Sequence, residues 1–188
     1  MLSISRLLRY KGVKYGALAG IIATWSISSA IAASEVELGL PISTFYSIMG
    51  ISLGYGDFVA AAYLGFVLHL ITGTALGAII GLASARWIKI MIKPYKATLA
   101  GIVAGIAVWL VLFLPVTVLL VQPSMQSIIP KLPESVQGTL SGDNQFVAAI
   151  TGSAVAFHIV WGAIFGYISS SFMRIRALHT GPAGGMIK

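Results

Sequence analysis

The chain has 188 residues, of which 57% are hydrophobic and only 9% are charged, and its mean hydropathy is +0.94. Soluble domains carry roughly 25% charged residues, so a water-facing fold is excluded and an integral membrane protein is predicted. The absence of cysteine excludes disulfides, iron–sulfur clusters and thiolate zinc sites. A net charge of +7 is compatible with nucleic-acid binding, but the distribution of the charges gives a different explanation.

Charged residues divide the chain into long uncharged runs. Runs of 20, 28 and 34 residues precede Glu35, Arg86 and Lys131, and a fourth follows Asp143. A helix that crosses the hydrocarbon core needs about 20 residues, and it must be helical because lipid offers no partner to an unpaired backbone amide. The sequence therefore predicts four spanning helices, near residues 14–34, 58–85, 97–121 and 145–173.

The beginning of the chain is similar to a secretory signal peptide. A basic start and an apolar core precede the small residues around Ala30 and Ala32. The apolar run is longer than a typical signal core, and the first span has a counterpart later in the chain. We therefore predict that this segment is retained as a span.

The uncharged stretch 38–56 is predicted to be interfacial or re-entrant. Pro41 and several glycines and hydroxyls weaken it as a spanning helix. With four spans, eleven of the twelve basic residues lie on one side, and all five acids lie on the other side with Lys131. The positive-inside rule then predicts a multi-pass protein of the cell membrane with both termini in the cytoplasm and 38–56 outside. The basic clusters act as topology signals and contact anionic lipid head groups, so no nucleic-acid partner is predicted.

An internal duplication is predicted within a single membrane domain of residues 1–188. Leu-Ala-Gly-Ile occurs at 18–21 and at 99–102, and the related sequences GDFVAA and GDNQFVAA begin at Gly56 and Gly142. Repeat 1 covers about 14–85 and repeat 2 about 97–173, followed by a flexible cytoplasmic tail, 174–188. An even number of spans in each unit gives both units the same direction across the membrane.

Small residues recur at every fourth position of the second and fourth spans, and so lie on one helix face. Spans one and three carry shorter rows, at Gly16 with Gly20 and at Gly101 with Gly105. Such rows let helix backbones approach closely in lipid. The predicted packing positions, with the intramembrane histidines, are His69, Gly73, Gly77, Gly81, His158, Gly162 and Gly166.

His69 and His158 fall near the middle of their spans, where an unpaired ionisable group is costly. The favoured interpretation is a neutral imidazole hydrogen-bonded to a neighbouring helix, through a backbone carbonyl or the hydroxyl of Thr24, Ser26 or Thr117. A proton or solute path and a metal site shared with another subunit are the alternatives. Two histidines are too few for a closed metal site, so neither a metal nor a cofactor is predicted. No catalytic residues are predicted, because the sequence has no nucleophile–base pair, phosphate loop or dinucleotide fingerprint.

The segments His69–Gly77 and His158–Gly166 follow the pattern His-aliphatic-x-x-Gly-x-x-x-Gly. Over residues 14–173 the chain resembles a family of uncharacterised prokaryotic membrane proteins with two helix-pair repeats and four helices. It is also similar to small multi-span proteins of ammonia-oxidising archaea, some of which are accessory subunits of the membrane-bound ammonia monooxygenase. This resemblance implies a supporting role and transfers no catalytic residue, because the copper ligands of such complexes belong to other subunits.

The leading hypothesis is therefore a non-catalytic accessory subunit of a larger membrane complex, in contact with the lipid bilayer and other integral membrane subunits. The alternative is a small channel or transporter in which His69 and His158 line a path. A lipid-modifying enzyme is disfavoured because the acids at the membrane edge form no recognisable pair.

Overall fold

The computed structural model describes the backbone of residues 4–140 and 143–179, and the side chains of residues 10–134, 136–138 and 150–174. Every regular element in these ranges is helical. Four helices are long and apolar enough to cross a membrane: Tyr10–Glu37, Phe58–Met91, Pro94–Lys131 and Ile150–Arg174. The prediction of an all-α, multi-pass membrane protein is confirmed.

The described residues form nine α-helical segments. They are α1 (Ile4–Glu37), α2 (Thr44–Ser52), α3 (Phe58–Ser84), α4 (Ile88–Met91), α5 (Pro94–Val108), α6 (Leu114–Val116), α7 (Gln122–Ile128), α8 (Glu134–Leu140) and α9 (Asp143–His179). Helix α9 continues beyond the predicted end of the fourth span at residue 173. The rest of the predicted flexible tail, 180–188, lies outside the described residues.

The third span is a continuous helix with two wide turns. Segments of π-helix at Trp109–Phe113 and Thr117–Val121 lie on either side of α6, which contains Pro115. Proline has no backbone N–H and disrupts the regular α-helical bonding pattern, and π-helical turns are a known way to absorb such an irregularity. The span runs through α7 to Lys131, well past the predicted boundary at residue 121.

The spans pack mainly as two pairs, and the pairs contact each other through α1 and α9. Helix α1 packs against α3, α5 packs against α9, and α1 packs against α9. Both pairs are antiparallel, so basic Lys14 and Arg86 lie at one end of the bundle and Glu35 and Asp57 lie at the other. We call these the basic end and the acidic end.

The stretch 38–56 forms a short helix that is packed among the spans. Helix α2 contacts α3 and also contacts α7 of the third span. The backbone of Tyr46 meets Gly65, and Gly50 meets Ala61. Because α3 starts at the acidic end with Phe58, the first turn of α2 lies deeper than its last turn.

Glycines bring the backbones of α1 and α3 into direct contact. A Cβ atom on Gly16 would overlap the carbonyl oxygen of Gly77 and lie 2.8 Å from the Cα of Gly81. A Cβ atom on Gly77 would overlap the carbonyl oxygen of Gly16 and lie 2.8 Å from the Cα of Gly20. No side chain larger than hydrogen fits without moving one helix.

The contact between α5 and α9 has the same form. Gly101 faces the carbonyl oxygen of Gly162 and the Cα of Gly166, as Gly20 faces Gly73 and Gly77. Gly20 and Gly101 are the glycines of the two Leu-Ala-Gly-Ile sequences. The two helix pairs therefore use corresponding positions, while their origin by duplication stays a prediction.

We expect Gly77→Ala to lower the free energy of unfolding by about 1–3 kcal/mol, the usual cost of inserting a methyl group into a packed interior. Gly152→Ala is the matched control, because Gly152 lies in α9 with nothing within 4 Å of its added Cβ. Equilibrium unfolding in mixed detergent micelles measures both. Equal stability of the two variants would contradict the backbone contact.

Candidate functional site

The imidazole of His69 lies beneath the first turn of α2. Its ring centroid is 5.4 Å from that of Tyr46. Its Nε2 atom is buried, and no hydrogen-bond partner for it occurs among the described residues. A buried polar atom without a partner is uncommon in folded proteins, and among the described residues this nitrogen shares that condition with the hydroxyl oxygens of Ser169 and Ser170.

His158 has a hydrogen bond within its own helix. Its Nδ1 lies 2.7 Å from the carbonyl oxygen of Ala154, and because a carbonyl only accepts, Nδ1 carries the proton. The ring also lies 5.2 Å from the ring of Phe113 in the third span. The sequence predicts a hydrogen bond from this imidazole to a neighbouring helix. In the structure, Nδ1 instead donates to the carbonyl oxygen of Ala154, four residues earlier in the same helix.

The fold places the two predicted histidines in different helix pairs. His69 on α3 lies beside Tyr46, and His158 on α9 lies beside Phe113. No group of three or more potential metal-ligating side chains occurs in the part of the chain that the structure describes. Two imidazoles alone do not close a zinc site.

Thr24 is a predicted partner of the histidines, but the structure joins it to a tryptophan. The indole Nε1 of Trp161 donates to Thr24 Oγ1 at 2.9 Å, and this hydroxyl donates to the carbonyl oxygen of Gly20 at 2.8 Å. Both side chains are buried. This bond links α1 to α9, and therefore joins the two helix pairs.

The other two predicted hydroxyl partners occupy different surroundings. Ser26 is exposed and donates to the carbonyl oxygen of Ile22 in its own helix. Thr117 is buried in the second π-helical turn of the third span.

Glu35 is fully buried at the acidic end and caps α2. One carboxylate oxygen accepts a hydrogen bond from the backbone N–H of Ser43 at 2.7 Å, and the other accepts from that of Phe45 at 2.8 Å. From the sequence, this acid is predicted only to mark the topology. A usable signal was its position six residues before Pro41, where a chain reversal leaves amide groups in need of an acceptor.

A second polar connection runs from α2 into α1. The hydroxyl of Tyr46 donates to Ser28 Oγ at 2.9 Å, and Ser28 donates to the carbonyl oxygen of Thr24 at the same distance. Burial raises the pKa of Tyr46 to about 12, so the phenol keeps its proton at neutral pH. Sequence reasoning did not find Tyr46, because its partner lies on another helix.

Comparison of the chain with family models, with curated proteins and with solved structures gives no match. The likeness to two-repeat membrane proteins and to monooxygenase subunits therefore stays a prediction.

We expect a double-mutant cycle of Thr24→Val and Trp161→Phe to give a coupling energy of about 0.6 kcal/mol, the average for hydrogen bonds between membrane helices. The reason is the direct bond between the two side chains. Unfolding in mixed micelles provides the four free energies. Trp87→Phe, at an exposed tryptophan, replaces Trp161→Phe in the control cycle. A coupling no larger than that of the control would contradict the bond.

Proposed function

We propose that the chain is a non-catalytic subunit that supports a larger membrane complex through its third span. The supporting observation is how little of that span the rest of the chain covers. In its most apolar window, with a mean hydropathy of 2.7, only 11% of the residues are buried. The corresponding share is 17% in the second span and 33% in the first and fourth spans.

The uncovered face extends along the whole third span. Val103 is 67% exposed, and Val111 and Leu119 are each 77% exposed. The glycines of the same span face the opposite way, towards α9. A helix of this kind is fixed along one side and offers its other side to lipid or to the helix of another subunit, and a partner helix is the proposed occupant.

The proposed orientation follows from the charges at the two ends. Lys14, Arg86 and Lys96 belong to the basic end, which the positive-inside rule assigns to the cytoplasm together with both termini. The sequence resemblance points to one assembly for the test, the archaeal membrane-bound ammonia monooxygenase. Recovery of its copper-binding subunits with this chain would identify that complex.

We expect a photoreactive amino acid at Val111 or Leu119 to form a covalent adduct with another integral membrane protein in native membranes. Ile79, which is 63% exposed on α3, is the matched position expected to give no protein adduct. Mass spectrometry identifies the products after extraction in mild detergent. Migration of the chain alone, without adducts at positions 111 and 119, would contradict the proposal.

A second candidate function is a path for protons or a small polar solute. It is favoured by the buried Nε2 of His69, which has no hydrogen-bond partner among the described residues. Ionisable groups within spans commonly mark such pathways. This function requires the wild-type protein to carry protons or the solute across the membrane. A supporting subunit requires no such flux.

If the path conducts protons, liposomes that contain the protein and a trapped pH-sensitive dye will acidify faster than protein-free liposomes under a potassium diffusion potential. His69→Ala should reduce this flux towards that of empty liposomes, because it removes the buried nitrogen. Thr72→Ala, at an exposed position of the same helix, should leave it unchanged. Wild-type flux equal to that of empty liposomes would reject the path.

A further inference from the structure

The buried nitrogen of His69 is covered on one side by α2. The backbone of Tyr46 lies against Gly65, one helical turn from His69 towards the acidic end. The Tyr46 ring then extends over the imidazole, at 5.4 Å between centroids. It also contacts the Phe66 ring at 5.5 Å. The first turn of α2 therefore separates His69 from the acidic end of the bundle.

Polar bonds fasten this part of α2 to its surroundings. Glu35 accepts from two backbone amides immediately before and within the first turn. The Tyr46 hydroxyl donates to Ser28 on α1, and the Ser47 hydroxyl lies 3.0 Å from the carbonyl oxygen of Phe58 on α3. Glu35 contributes two of these bonds, one to each of its carboxyl oxygens, so it is the principal fastening.

Flexible residues bound the segment on both sides. Gly39 has a φ of +69° and Gly54 has a φ of +101°, and an added Cβ would meet nothing within 4 Å at either position. Glycine adopts such angles at little steric cost. The segment therefore begins and ends at turns that favour glycine.

The opposite side of α2 packs with the third span. Ile48 and Ile51 belong to an apolar cluster with Met125 and Ile128 of α7, and the same cluster includes Ala61 of α3. The packing with α3 is closer, because the backbones meet at Gly50 with Ala61 and at Gly65 with Tyr46. Opening of α2 therefore has to separate its first turn from α3.

We propose that α2 is a displaceable cover that closes His69 from the acidic end. Glu35 and Tyr46 hold it shut, and Gly39 and Gly54 are its hinges. Opening would expose the imidazole nitrogen to water and small polar molecules. The cover concerns access to His69 and does not depend on a partner at the third span.

Thiol labelling tests the cover directly, because the chain has no cysteine of its own. His69→Cys is reconstituted in liposomes and treated with a membrane-impermeant, positively charged methanethiosulfonate reagent. We expect slow labelling when α2 is closed. Adding Glu35→Gln should accelerate it by about tenfold or more, because the amide accepts one backbone N–H and presents a donor to the other. Adding Tyr46→Phe should accelerate it by a smaller factor.

Two controls separate opening of α2 from general loosening. Glu37→Gln changes an exposed acid two residues away and should leave the labelling rate at position 69 unchanged. His158→Cys places the thiol beside Phe113 rather than beneath α2, and its rate should not respond to Glu35→Gln.

Three results would contradict the proposed cover. The first is fast labelling of His69→Cys without a second substitution, and the second is unchanged labelling after both Glu35→Gln and Tyr46→Phe. The third is equal acceleration of labelling at positions 69 and 158. If Glu35→Gln does not fold, Tyr46→Phe decides, because it keeps the ring and removes only the hydroxyl.

Discussion

Direct contact between glycine backbones is the constraint on which the rest of this fold depends. Inside a bilayer, apolar side chains gain little by choosing another helix over lipid, so close backbone approach and polar bonds select the neighbours. The contacts of Gly16 with Gly77 and of Gly101 with Gly162 fix how each helix is rotated about its axis. That rotation turns His69 and His158 inward, because both lie on the same faces as the glycines.

Once the helices are oriented, the buried polar groups need partners, since an unsatisfied group in a low-dielectric interior is expensive. Trp161 and Thr24 satisfy each other and join the two helix pairs. Glu35 is compatible with burial because each of its carboxylate oxygens accepts a backbone amide. Within the part of the chain that the structure describes, three buried side-chain atoms have no such partner, at Ser169, at Ser170 and at the Nε2 of His69. The Nε2 of His69 lies where α2 meets α3.

Helix α2 connects the covered histidine to the third span, through which the protein is proposed to bind its partner. It contacts His69 through Tyr46 on one side and the end of the third span through Ile48 and Ile51 on the other. Helix α7 is part of the third span. A partner helix bound along that span would therefore act on the helix against which α2 packs. Such a partner influences the cover only if it favours one position of α2 over another, since binding energy shifts an equilibrium only through different affinities for its states.

The sequence by itself determined that the protein is all-helical with four apolar spans, because lipid requires internal backbone hydrogen bonding and charges interrupt the spans at readable intervals. It also identified the faces that carry glycine, because residues four apart share a side of a helix. Only the tertiary structure decided that Thr24 pairs with Trp161, 137 residues away, rather than with a histidine. It also decided that α2 docks beside Gly65 and that Glu35 caps it. Helical periodicity gives the angular position of a residue around the axis of its own helix. These contacts depend instead on the relative depth and rotation of separate helices.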